Sequence, residues 1–253
     1  GAVTSYQTTD VVAGTGGADT IVLGDGDNTI LGGVGGDTIT TGMGTDTIMG
    51  DNGAVVLDAT GSVFVQIASN VYVSGSTTVL DLTGGDDVIT TGDGDKNVVG
   101  GFGADNIVVG NGQHIVLGDN GQVDYNAAGL VVSYQTTDTE ASTGGSDTIV
   151  TGANGDNTIL GGVAGDSITT GNGVDTILGD NGIVLLDPTG AMFVEIHSNV
   201  YLTGSTTNLD LIGGADMINA GEGHNIDIGW FERDSVITGS GNDIAFGDNG
   251  YIG

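Results

Sequence analysis

Between Gly32 and Gly53 the chain reads GGVGGDTITTGMGTDTIMGDNG, and the pattern Gly-x-Gly-x-Asp-x-Ile returns after nine residues, at Asp37 and Asp46 and at Ile39 and Ile48. A nine-residue unit with one short β-rich run and one Gly-rich turn cannot bury its own apolar face, so it must stack on others like it. The apolar position can be followed through four blocks: Ile21, Ile30, Ile39, Ile48; Ile89, Val98, Ile107, Val116; Ile149, Ile159, Ile168, Ile177; and the degenerate Ile218, Asp227, Val236, Ala245. Runs of β-branched residues bounded by glycines, with no 3.6-residue period, argue for strands and against helix. Two units make one circuit, so position n should lie beside n+18, with the Ile and Val side chains turned inward.

A longer repeat encloses the short one. SYQTTD occurs at Ser5 and at Ser133, an offset of 128 that becomes 129 after one extra residue near Ala153. The expected division is a first repeat over 1–132 and a second over 133–253. Each holds two blocks of four nonapeptides, and each block ends in GDNG, at Gly50, Gly118, Gly179 and Gly247. The stretches that follow, such as SVFVQIASNVYV and AMFVEIHSNVYL, alternate like hairpins. The chain opens Gly-Ala-Val without an initiator Met and closes GDNGYIG, where an insertion should begin. Start and end together nearly complete one insertion, so the expectation is a piece of a continuous array, or subunits that associate end to end.

Thirty-three acidic residues stand against two basic ones, Lys96 and Arg233, for a formal charge of −31; 29 of the acids are Asp and only 4 are Glu. Asp is favoured where a short carboxylate sits in a tight turn beside backbone groups. High charge alone suggests disorder, but a regularly spaced apolar pattern under this charge implies a folded form that needs cations. No basic patch exists to meet phosphates, so a nucleic-acid partner is not expected. No apolar run approaches the ~20 residues of a membrane span, and no signal peptide is visible. With no cysteine there is no disulfide framework.

Glycine allows the tight turn and lets carbonyls converge. Asp37 adds a carboxylate, and the turn one circuit away adds another. Such hard oxygen donors suit Ca²⁺ at about 2.3–2.6 Å, whereas zinc would want Cys or His. In GVGGDTITT, GMGTDTIMG and GFGADNIVV the chain resembles the repeats-in-toxin (RTX) nonapeptide of the hemolysin-type calcium-binding family. The resemblance covers about sixteen units, somewhat over half the chain. It implies an all-β parallel β-roll or solenoid with calcium in the turns, here carrying hairpin-like insertions after GDNG. The residues carried over as metal ligands are Asp19, Asp37, Asp46, Asp87, Asp105, Asp147, Asp166, Asp175, Asp216, Asp234 and Asp243, with Gly17, Gly35, Gly44, Gly103 and Gly173 in the turns. Asp51, Asp119, Asp180 and Asp248 of GDNG either extend this row or mark plain Asn-Gly turns.

Sorting the Asp position by edge of the stack separates two rows. One edge carries Asp19, Asp37, Asp87, Asp105, Asp147, Asp166, Asp216 and Asp234; the other carries Asn28, Asp46, Lys96, His114, Asn157, Asp175, Asn225 and Asp243. Bound ions should line the first more completely, with none beside Lys96, which should substitute for an ion near Asp93 and Asp95. WFERD (Trp230–Asp234) lacks both turn glycines, so a site there is open to question. On the Asp-poor sheet the outward position is apolar: Leu31, Met49, Val99, Leu117, Leu160, Leu178, Ile228 and Phe246. Such a stripe should be covered, by the insertions in preference to a neighbouring chain.

His114, His197 and His224 sit in no metalloprotease or triad motif, and the Gly-rich turns lack the G-K-[ST] of a phosphate loop. No enzyme is expected. The function expected is a calcium-stabilised structural segment of a secreted cell-surface or matrix protein, such as an adhesin stalk, surface layer or filament, with surface polysaccharide a possible partner. The alternative is a carboxy-terminal RTX secretion and folding module of an exported toxin or hydrolase.

Overall fold

The computed structural model describes residues 1–10, 12, 14–74, 77–80, 83–138, 140–198, 200–203, 206–209 and 212–253. Among these the chain is all-β, with no helix and hence none long and apolar enough to cross a membrane. Three eight-stranded sheets and two two-stranded ribbons account for its strands.

The nonapeptides build two parallel sheets, and the chain alternates between them. The first sheet holds Thr20–Val22, Thr38–Thr40, Val88–Thr90, Asn106–Val108, Thr148–Val150, Ser167–Thr169, Met217–Ala220 and Ser235–Thr238. The second holds Thr29–Leu31, Asp46–Met49, Lys96–Gly101, His114–Asp119, Thr158–Gly162, Thr176–Asp180, Ile226–Ile228 and Ile244–Phe246. The registers put the aliphatic residues in columns: Ile21 beside Ile39, Ile39 beside Ile89 and Ile89 beside Ile107 in one sheet, Ile30 beside Ile48 and Ile48 beside Val98 in the other. These columns face each other as one buried cluster. Each fully buried Val or Ile contributes about 1.5–3 kcal/mol. Strands of three residues suffice because only the central side chain must turn inward.

The insertions form the third sheet, antiparallel throughout, in the order Ser5–Gln7, Gly53–Leu57, Phe64–Ser69, Gly121–Tyr125, Val131–Thr136, Gly182–Leu186, Phe193–Ser198 and Tyr251–Ile252. It lies over the outer face of the second parallel sheet. Met49, Val99, Leu117, Leu160, Leu178 and Ile228 are buried there against Val55, Ile67, Val123, Tyr134, Val184 and Ile196. The insertions, then, cover the apolar stripe. The outer face of the first sheet stays open, and Val22, Met217 and Ile237 are all more than half exposed. Val131–Thr136 spans the 132/133 division expected from the sequence and pairs with both Gly121–Tyr125 and Gly182–Leu186, so the third sheet is continuous across that point.

The fourth block follows the same path through poorer residues. Trp230 (φ 112°) and Glu232 (φ 67°) take up left-handed backbone where the first two blocks use Gly33 and Gly35 and Gly101 and Gly103, and the third Gly162 and Ala164 (φ 72°), a strain of order 1–3 kcal/mol for each non-glycine. Trp230 is held by burial in the second core cluster and by an edge-on contact with Phe231 at 4.5 Å. Asp227 occupies an aliphatic column between Ile177 and Ala245. It is fully buried, and neither carboxylate oxygen has a hydrogen-bond partner. Burial, with Asp175 and Asp243 nearby, pushes it up to about 7. Asp227→Val should therefore stabilise the fold by about 1–3 kcal/mol. A carboxyl raised on folding loses its stabilising contribution as pH rises through the folded value. The gain in melting temperature should thus be larger at pH 8 than at pH 6, and thermal unfolding at both pH values checks it.

Candidate metal-binding edge

On the all-Asp edge one carboxylate oxygen of each turn is used to join circuits. Asp37 Oδ1 accepts the backbone N–H of Asp19 at 2.7 Å, Asp87 Oδ1 that of Asp37 at 2.6 Å, and Asp105 Oδ1 that of Asp87 at 2.7 Å. The ladder continues with Asp147 accepting from Asp105, Asp166 from Asp147, Asp216 from Asp166 and Asp234 from Asp216, at 2.7–3.0 Å. The other oxygen is left over. Oδ2 of Asp37, Asp87, Asp105, Asp147, Asp166, Asp216 and Asp234 is buried with no hydrogen-bond partner. A buried polar atom without a partner costs about 1–3 kcal/mol, and more if charged, so seven in a row demand a cation or a proton.

The space around these oxygens is shaped by glycine. A methyl group on Gly32 would fall 1.9 Å from the Gly50 carbonyl oxygen and 2.5 Å from Asp37 Oδ2. The same pairing of a carbonyl with a free Oδ2 recurs at Gly50 (Gly100 O, Asp87), Gly100 (Gly118 O, Asp105), Gly118 (Gly161 O, Asp147) and Gly161 (Gly179 O, Asp166). Only hydrogen fits at these positions, and two oxygen donors converge on each.

Burial is the main cause that raises these carboxyls, and the neighbouring carboxylates add to it. Asp105 is pushed up to about 10, Asp87 and Asp147 to about 8, and Asp216 to about 7; Asp37 and Asp166 also move up. Asp19, at the end of the row, is exposed.

The GDNG aspartates reach across the stack instead of joining the row. Asp51 Oδ1 accepts Gly85 N–H at 3.0 Å and its Oδ2 accepts Phe102 N–H. Asp119 takes Gly145 and Val163 in the same way, and Asp180 takes Gly214 and Phe231. Each spans two later circuits with both oxygens occupied, while Asp248 is exposed. Asp58 and Asp187 only close turns within insertions, through Ser62 and Val63 and through Ala191 and Met192. Among the turn glycines, Gly35, Gly44, Gly103 and Gly173 have positive φ and Gly17 does not.

The second edge is built differently. Asp46 Oδ1 accepts from Asn28 N and Nδ2 at 3.0 and 2.8 Å; its Oδ2 accepts from Thr41 Oγ1 at 2.8 Å and pairs with Lys96 Nζ at 3.0 Å. Both partners of that ion pair are fully buried. Burial would raise the Asp46 carboxyl, but Lys96, Thr41 and Asn28 outweigh it and hold it below its usual range. Lys96 also donates to the carbonyls of Gly44 and Asp93. Its ionic partner is thus Asp46, and it meets Asp93 through the backbone. Asp175 repeats the arrangement, with Asn157 N and Nδ2 on Oδ1 and Thr170 Oγ1 on Oδ2 at 2.6 Å. Asn28, Asn157 and Asn225 donate to the turn carbonyls of Gly26, Gly155 and Gly221, and His114 Nε2 lies 2.9 Å from Gly110 O. Asp243 Oδ1 accepts Asn225 N–H at 3.0 Å.

The threonine bonds were the signal missed in the sequence. Five residues before Asp37, Asp105, Asp166 and Asp234 stands Gly32, Gly100, Gly161 and Gly229; five before Asp46 and Asp175 stands Thr41 and Thr170. A hydroxyl fills the place that glycine leaves open.

Among the described residues no group of three or more His, Asp or Glu side chains converges as a metal site. An ion on the first edge must therefore take most of its ligands from backbone carbonyls and one or two from carboxylates. That donor set is hard and oxygen-only, and it fits calcium. Fold and edge together define a repeat protein with stacked turns that present oxygen donors in a row. The matched repeats are RTX calcium-binding nonapeptide repeats, a type that binds several calcium ions: the model of that family, described as RTX calcium-binding nonapeptide repeat (4 copies), matches residues 6–39, 23–57, 142–177, 151–185 and 232–251. No curated protein and no solved structure matches the chain.

The raised carboxyls set the behaviour of the calcium-free chain. Their contribution to stability is present below about pH 4, where the unfolded carboxyls titrate, and is lost as pH rises through about 7 to 10. In chelator, β-structure measured by circular dichroism should be greatest near pH 4–5 and decline toward pH 8. With calcium the trend should reverse, because protons then compete with the ion.

Proposed function

We propose that this chain is a calcium-stabilised structural segment of a secreted cell-surface or matrix protein, folded as a β-roll with an added antiparallel layer. The row of seven buried, unpartnered Oδ2 atoms on one edge carries this reading. Oδ2 of Asp37, Asp87, Asp105, Asp147, Asp166, Asp216 and Asp234 would hold the ions, with turn carbonyls such as Gly50, Gly100, Gly118, Gly161 and Gly179. Asp46, Asp51, Asp119, Asp175 and Asp180 are left out of this ligand set because their oxygens are already engaged. Bound calcium neutralises the row and cross-links successive circuits.

Extracellular calcium modules have Kd values of roughly 0.1–1 mM, and each site at tenfold excess adds about 1.4 kcal/mol. Seven such sites amount to about 10 kcal/mol, the size of a whole domain's stability. Sites this weak fill outside the cell, which supports export before folding. The role as a segment of a longer structure rests on the third sheet, which runs unbroken over both long repeats. A secretion and folding module has no evident need for that layer.

Calcium should therefore gate folding at neutral pH. Circular dichroism and sedimentation are expected to show an expanded chain in chelator and a compact β-rich one in millimolar calcium; a compact β-rich chain in chelator would refute the proposal. Asp105→Asn should bind one ion fewer and melt at a lower temperature in calcium. In chelator near pH 4–5, where the calcium-free parent keeps β-structure, it should be no less stable than the parent, since it removes a buried carboxyl that has no partner.

A further inference from the structure

The two edges share a backbone path but differ in what fills them. We infer that the second edge takes no calcium, because the protein supplies its own donors there, with Lys96 as an internal counter-ion and Thr41 and Thr170 as plugs. This rests on calcium occupying the first edge.

The decisive atom is Oδ2 of the turn aspartate. On the first edge it is unpartnered at every circuit from Asp37 to Asp234. On the second, both fully buried carboxylates, Asp46 and Asp175, have each oxygen engaged by N–H, O–H or ammonium donors. The turn carbonyls, which a calcium ion would need as ligands, are taken as well. Asn Nδ2 atoms occupy Gly26, Gly155 and Gly221, and the Lys96 ammonium occupies Gly44 and Asp93. At Asp46 and Asp175 a cation would have to displace donors that already satisfy the carboxylate lone pairs, and the buried turn atoms left unpartnered on this edge, Asn157 Oδ1 and His114 Nδ1, belong to neutral side chains.

The negative charge of this edge has moved outward. Where the turn aspartate is replaced by the half-buried Asn28 or the buried Lys96 or Asn157, the exposed turn positions are acidic: Asp25 and Asp27, Asp93 and Asp95, Asp156. Each of these carboxylates accepts a backbone N–H of the next circuit, from Met43, Thr45, Asn111, Gln113 and Val174, at 2.8–2.9 Å. They perform the same circuit-joining task as the buried row, but in water, where their mutual repulsion is screened. Where Oδ2 is open a glycine faces it, five residues earlier at Asp37, Asp105, Asp166 and Asp234 and from the preceding GDNG (Gly50, Gly118, Gly179) at Asp87, Asp147 and Asp216; at Asp46 and Asp175 the residue five positions earlier is threonine and its hydroxyl closes the oxygen.

The test is the number of calcium ions bound by the whole chain, measured by equilibrium dialysis with elemental analysis. The parent chain should bind about seven, one per unpartnered Oδ2. Thr170→Gly frees Oδ2 of Asp175 and should add one ion, as should the double variant Thr41→Gly with Lys96→Asn at Asp46. Lys96→Asn alone leaves Thr41 in place and should add none. Melting curves in calcium confirm that each variant is folded, and Thr170→Gly, which leaves the buried ion pair intact, stands if the double variant does not fold. A parent count near double the expected one, or no gain in folded Thr170→Gly, would overturn the one-edge assignment while leaving calcium binding intact. A parent chain that binds no calcium would instead overturn the reading on which the assignment rests.

Discussion

Everything in this structure depends on one hydrogen bond repeated along an edge: the carboxylate of one turn accepting the backbone N–H of the aspartate in the circuit before it. That bond sets the distance between circuits and brings carboxylates into a file. It also consumes only half of each carboxylate. The unused oxygens, buried and mutually repulsive, are why a chain with a net charge of −31 can stack only when something positive neutralises the file. The second edge meets the same requirement internally, engaging its carboxylate oxygens with Lys96, Thr41 and Thr170, whereas the first leaves one oxygen of each turn open.

Much of this was legible in the sequence. The nine-residue period identified the inward columns, and the residues named from it, Ile39, Ile89, Ile107, Ile149, Ile168 and Ile218, are fully buried. The outward apolar stripe was readable because an aliphatic at Met49, Leu117 or Leu178 is unusual on a water-facing sheet, and the alternating insertions were the natural cover. The sorting of turn aspartates into a uniform and a mixed row was also visible, since position alone assigns a residue to an edge.

What could not be read depends on which groups meet after folding. The pairing of Gly121–Tyr125 with Phe64–Ser69 joins insertions far apart in the chain, and no local pattern encodes it. The reach of Asp51 to Gly85 and Phe102 follows from where the insertion returns the chain to the stack. The partner of Lys96 is one whole circuit and an insertion away at Asp46. Asp227 was visible only as a departure from the aliphatic column; that it keeps two unpartnered oxygens in the core is a matter of packing. In the fourth block the backbone conformation outlasts the residues suited to it, with Trp230 and Glu232 held in glycine geometry by their neighbours.

The buried Lys96–Asp46 pair occurs once in a stack of near-identical circuits. A chain made of interchangeable layers can mis-thread by one layer and still bury its aliphatic columns almost as well. Shifted by one layer, the ammonium would lose Asp46 and be buried without its counter-charge, which costs about 3–5 kcal/mol. The single lysine is in this sense an index mark: it distinguishes one alignment of the layers from its translated copies, a distinction that a perfectly periodic sequence has no means to make.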